Sequence, residues 1–128
     1  MIKTIEEMSL NALPALENMV YDGWLMKFSK GYTRRANSIY PLYESSCDIN
    51  KKIRKCEEIY NSKGLNVIYK VTSEAYPDNL DSILEKHGYK VDAPTSVQVL
   101  DLDNITEPEN ENLIVSTAVN EEWLDYFC

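Results

Sequence analysis

The 128-residue chain predicts an α/β (α+β) fold built on a mixed, partly antiparallel sheet. Three observations predict it. Apolar residues recur with a helical period from Asp48 to Lys63, whereas from Trp24 to Phe28 they alternate as in a half-buried strand. The order strand-helix-strand-helix-strand in the middle of the chain implies parallel pairing, and a hairpin near the start implies an antiparallel portion. At this length about two-thirds of the unfolded chain's surface can be buried, which suffices for a core of its own.

Each element has its own signal. Thr4-Ile5-Glu6-Glu7 has capping-box spacing and predicts the start of a first helix, stopped by Pro14. Asp22-Gly23 separates two short runs, Asn18–Tyr21 and Trp24–Ser29, and tolerates the positive φ values of a type I′ hairpin turn. Trp24, Met26 and Phe28 alternate onto one face. Thr33–Tyr40 reads as a third strand, ended by Pro41.

From Asp48 to Lys63, Ile49, Ile53, Cys56 and the Ile59/Tyr60 pair form one helical stripe, with Gly64 placed as its stop. Lys51, Lys52, Arg54 and Lys55 are expected on the solvated side of that helix. Leu65–Thr72 is a strand with apolar residues on both sides, as in a sheet interior. Pro77–His87 is a second amphipathic helix closed by Gly88, and Thr95–Leu102 a further strand. The polar stretch Asn104–Asn112, with Glu107-Pro108-Glu109, reads as a linker between a domain over residues 1–103 and a second unit over residues 113–128. In that unit Leu113–Ala118 reads as a strand and Glu121–Phe127 as the beginning of a helix.

Composition narrows the function classes. The net charge of −8 disfavours generic binding to nucleic acid or to an anionic membrane. No apolar run approaches the roughly 20 residues of a membrane span, and Glu6 and Glu7 interrupt any signal peptide, so a cytoplasmic location is expected. One histidine and three cysteines do not make an ordinary zinc site or a closed disulfide framework, so no metal is expected. The charge is unevenly spread: residues 27–70 balance at +6 and residues 71–128 at −11. Within the basic stretch, Arg34 and Arg35 stand apart because they fall in the expected strand, where alternate positions put Arg35 and Asn37 on one face.

Leu84-Glu85-Lys86-His87-Gly88-Tyr89, set between the two expected strands Leu65–Thr72 and Thr95–Leu102, resembles the corresponding phrase of the GNAT N-acetyltransferases. Tyr21-Asp22-Gly23-Trp24-Leu25, followed by Gly31-Tyr32-Thr33-Arg34-Arg35-Ala36-Asn37-Ser38, is similar to the N-terminal region of GNAT proteins built from two such folds in tandem. The resemblance covers about residues 5–103 and implies a GNAT-like sheet with helices on both faces. It also implies an acetyl-CoA-dependent transfer of an acyl group to an amine or other small-molecule substrate.

In that family a glycine-containing loop at a helix N-terminus holds the acetyl-CoA pyrophosphate through backbone N–H groups. The matching stretch here, Tyr40–Ile49, contains no glycine, carries Pro41, and places Glu44 and Asp48 where phosphates would lie. A family tyrosine that protonates the departing thiolate aligns with Leu84, which has no proton to give, and Tyr89 matches a core phenylalanine. His87, in the last turn of its helix, reads as a dipole-compatible surface residue, and Cys56 as a core thiol.

No catalytic, cofactor-binding or metal-binding residue is therefore expected in this chain; acetyl-CoA is expected for the parent protein. Arg34, Arg35 and Asn37 are the candidate substrate-binding residues. The expected partner is a C-terminal GNAT domain in the same chain, of which residues 113–128 would be the first strand and helix, or a second copy docking through Trp123, Tyr126 and Phe127. The reading is a degenerate, non-catalytic N-terminal unit of an N-acetyltransferase. Its alternative is a stand-alone binding or dimerisation module of GNAT shape.

Overall fold

A computed structural model describes residues 1–103, 116–118 and 120–127. It divides into two compact units, Met1–Asp92 and Ala93–Cys128. The first is the α+β fold the sequence predicts, with α1 (Ile2–Ala12), β1 (Glu17–Tyr21), β2 (Trp24–Phe28), β3 (Ile39–Tyr40), α2 (Ile49–Ser62) and α3 (Leu80–Lys86) in order.

The hairpin forms where Asp22-Gly23 places it. Both residues have positive φ, 44° and 84°, and β1 pairs antiparallel with β2 from Tyr21 opposite Trp24 to Glu17 opposite Phe28. On the other side of β2 lies β3, with Met26 opposite Ile39 and Leu25 opposite Tyr40. The three-stranded sheet is antiparallel rather than mixed; beside it Ile39 makes one isolated parallel bridge to Tyr69, through Ile39 N–H to Ile68 O at 2.8 Å and Lys70 N–H to Ile39 O at 2.9 Å. That bridge is all that forms of the strand expected over 65–72.

One face of the sheet carries the core. Trp24, Met26, Phe28 and Ile39 meet Ile53, Cys56 and Tyr60 of α2 and Leu80 and Leu84 of α3. Burying each large apolar side chain contributes about 1.5–3 kcal/mol relative to exposure. Trp24 meets Tyr69 edge-on at 5.6 Å, and Phe28 lies 4.8 Å from Tyr60, centroid to centroid. The opposite face is covered by the C-terminal end of α1, which receives Lys27 of β2.

α2 begins as expected, with the Asp48 carboxylate accepting from the Lys51 N–H at 3.0 Å. It ends at Gly64 (φ 67°), where the Gly64 and Leu65 N–H groups close onto Asn61 O and Tyr60 O.

Several sequence expectations are corrected. α1 starts at Ile2, so Thr4 lies inside the helix and its capping box is unused. The acids are engaged elsewhere: Glu6 pairs with Lys70 and Glu7 accepts from the Tyr43 hydroxyl, while Glu74 supplies an acceptor for the Lys3 N–H at 3.0 Å. Thr33–Tyr40 is not a strand throughout, because Arg34–Ala36 wind into one 3₁₀ turn before β3. α3 starts at Leu80 rather than at Pro77.

Thr95–Leu102 forms no strand, and Val97, Val99, Leu100 and Leu102 are exposed. The second unit contains α4 (Glu121–Phe127), which forms where the sequence predicts and is opened by Asn120, whose side chain accepts from the Trp123 N–H at 2.8 Å. The expected linker 104–112 and most of the expected strand 113–118 lie outside the described residues, as do the side chains of Tyr126 and Phe127.

Candidate functional site

The loop between β3 and α2 is the place where a GNAT-like chain would receive a diphosphate, and here it receives a carboxylate of its own. The hairpin turn projects Asp22 at this loop. The Asp22 carboxylate accepts from the Ser45 hydroxyl, from the Ser46 hydroxyl at 2.7 Å, and from the backbone N–H groups of Ser46 and Cys47 at 3.0 and 2.9 Å. The Ser45 and Ser46 hydroxyls, then the two backbone donors, hold its carboxyl well below the usual carboxylate range.

Lys52 closes the cluster. The sequence places it on the solvated side of α2, but it is 0% exposed. Its ammonium bonds the Asp22 carbonyl and the Ser45 hydroxyl, lies 3.3 Å from the Asp22 carboxylate, and sits over the Trp24 ring at 4.3 Å. Burial lowers its pKa, and the Asp22 charge opposes that shift.

Of the loop's N–H groups, those of Ser46 and Cys47 bond the Asp22 carboxylate, that of Tyr43 bonds Gly23 O, and Pro41 has none to offer, so an anion on the Ser46 and Cys47 donors would have to displace that carboxylate.

The three candidate substrate residues separate in the structure. Arg34 is exposed and pairs with Asp92 at 2.6 Å. Asn37 is buried, and its side chain organises the backbone. Its Oδ1 accepts from Ser29 N–H at 2.7 Å and Gly31 N–H at 3.1 Å, and its Nδ2 donates to Thr33 O at 2.7 Å. These bonds account for its burial without a ligand. They also wind the segment, so Arg35 and Asn37 do not share a strand face. Arg35 alone lines a cleft, together with Ser9, Leu13, Lys27, Tyr40 and Lys70.

Tyr89, Cys56 and His87 are engaged within the fold. The Tyr89 hydroxyl donates to Glu57 at 2.8 Å, and its ring stands edge-on to Tyr69 at 5.2 Å. Burial first, then Glu57, raises its pKa well above the phenol range. Burial pushes the Cys56 thiol up to about 11. His87 shares a hydrogen bond with Asn50 at 2.8 Å. Among the described residues no group of three or more His, Cys, Asp or Glu side chains could hold a metal ion, and no helix is long and apolar enough to cross a membrane.

Sequence reasoning missed Asp22, Lys27 and Lys52 as site-forming groups. Lys52 had a legible signal: it stands three residues after Ile49 and four before Cys56, on the buried stripe of α2.

The geometry is that of an α+β domain whose loop before α2 is bonded from within by Asp22. By sequence, the chain belongs to the family described as "Probable histone acetyltransferase Rv0428c C-terminal", whose model matches residues 1–127. The family is acetyltransferase-related. No curated protein and no solved structure shows significant similarity to the chain.

Proposed function

We propose that this chain serves an acetyl-CoA-dependent N-acetyltransferase of the GNAT type as a non-catalytic, GNAT-like unit, with the acyl donor bound by a separate GNAT domain acting on an amine. The observation that carries the reading is the Asp22 carboxylate on the N–H groups of Ser46 and Cys47, the donors a pyrophosphate would need. The match to an acetyltransferase-related family supports acyl transfer as the activity of the whole. The leucine at position 84, 4% exposed in the core, supports the absence of a proton donor for the departing thiolate. In this reading the chain's own residues bind and orient, and none moves a proton to or from the reacting atoms.

The test is calorimetric titration of acetyl-CoA into the purified chain, with thiol release measured in the presence of a primary amine. The expected result is no saturable heat and no release above the uncatalysed rate. Saturable binding, or acetyl transfer by this chain alone, would overturn the proposal.

A further inference from the structure

The molecule buries two lysines, and they are treated differently. Lys52 (0% exposed) has the Asp22 carboxylate beside it at 3.3 Å. Lys27 (2% exposed) has none: among the described residues no carboxylate lies within ion-pair distance of its ammonium. Its partners are two backbone carbonyls at the end of α1, Leu10 O at 3.3 Å and Leu13 O, which leaves one of its three N–H donors unassigned. A buried cation answered by neutral groups, two carbonyls and the Tyr40 ring 5.8 Å away, is incompletely compensated.

The surroundings add to the positive charge. The cleft beside Lys27 is bounded by Arg35, Lys70, Tyr40, Ser9 and Leu13. Lys70 is engaged by Glu6, at 2.6 and 2.9 Å to its two oxygens. Arg35 has no ion pair or side-chain hydrogen bond among the described residues, so three cations face one carboxylate. Burial, then the charge of Lys70, lowers the Lys27 pKa. The cleft holds about 260 Å³, below the roughly 300–1,000 Å³ of sites for drug-sized ligands. It therefore suits a compact molecule rather than a nucleotide cofactor.

We infer that this cleft is a binding site for a small oxyanion, the carboxylate or phosphate group of a compact molecule, held by the guanidinium of Arg35 and the ammonium of Lys27. The planar guanidinium offers paired donors to either group, the unassigned donor of Lys27 supplies a second contact, and the Leu13 side chain and Tyr40 ring give the body of the molecule an apolar wall. The site lies away from the Asp22 loop in sequence and partners, so it stands whether or not acetyl-CoA binds the chain.

The experiment follows thermal unfolding of the chain in sodium phosphate or sodium succinate, against sodium chloride at equal ionic strength. The expected result is a saturable rise in Tm with phosphate, succinate or both; phosphate alone assigns a phosphoryl group, succinate alone a carboxylate. In Arg35→Gln the apparent affinity should fall at least about tenfold, as expected for losing a charge-assisted hydrogen bond. Arg54→Gln, a change on the exposed side of α2, should leave it unaltered. Lys27→Met should abolish the effect, and Arg35→Gln keeps the test decisive if that variant does not fold. A rise matched by chloride, or one unchanged in Arg35→Gln, would overturn the proposal.

Discussion

The ammonium of Lys52 lies 4.3 Å from the centroid of the Trp24 ring and 3.3 Å from the Asp22 carboxylate, so one buried cation ties α2 to both sides of the hairpin turn. Its four-carbon stem fills core space as well as carrying charge. Lys52→Ala should therefore behave as a large-to-small core change and cost about 2–5 kcal/mol in urea unfolding. Lys52→Met keeps the stem and should cost clearly less. Equal losses in the two variants would mean that the charge, not the packing, is the main contribution.

Asp22 makes the fold acid-sensitive. Its folded pKa is depressed below the unfolded value of about 3.9, chiefly by the Ser45 and Ser46 hydroxyls. Below about pH 4 the unfolded chain then binds more protons than the folded one. The contribution is complete above that pH and is lost as pH falls through the folded pKa. Urea midpoints measured from pH 6 down to about pH 2 should fall more steeply for the wild type than for Asp22→Asn. Parallel profiles would contradict the assignment.

Gly23 is needed for space as well as for its φ of 84°. A Cβ there would collide with the backbone carbonyls of Tyr43 and Glu44, whose strand-to-helix loop crosses the turn. At Gly64 a Cβ would meet nothing within 4 Å. Gly64→Ala should cost only the left-handed penalty of about 1–2 kcal/mol. Gly23→Ala should cost more and should also disturb the Ser46 and Cys47 amide resonances, because the loop that bonds Asp22 must move.

The Tyr69 hydroxyl is buried and, among the described residues, has no partner in hydrogen-bonding geometry. An unsatisfied buried polar group costs about 1–3 kcal/mol, so Tyr69→Phe should raise Tm by about 4 °C or more. The ring contacts with Trp24 and Tyr89 remain in that variant. A lower Tm would show that the hydroxyl is bonded in solution.

The elements that were legible are those specified by neighbours in sequence. Asp22-Gly23 fixes its turn by dihedral preference, and Ile53, Cys56 and Tyr60 fix the buried stripe of α2 by period alone. Thr33–Tyr40 misled because Asn37 reads as an ordinary strand residue until its amide finds Ser29, Gly31 and Thr33. Those bonds offer the backbone an alternative to a ladder.

Lys27 was illegible for a different reason. Its alternate position puts it on the face opposite Trp24 and Met26, and only tertiary packing reveals that the carbonyls of α1 cover that face. Of the candidate site, the glycine-free character of the Tyr40–Ile49 loop was readable, but its use by a carboxylate two elements upstream was not.

The first helix also carries a consequence for how the chain is made. α1 is fastened by Glu6 to Lys70, 64 residues later, and by the Lys3 N–H to Glu74, 71 residues later. On a ribosome adding about 5–20 residues per second, Glu6 waits about 3–13 s for its partner to be synthesised. During that interval the hairpin can close, since β1 and β2 are adjacent in sequence. The N-terminal turns of α1 are thus fastened late, whereas the Leu10 and Leu13 carbonyls, 17 and 14 residues before Lys27, can cover its ammonium as soon as β2 is made.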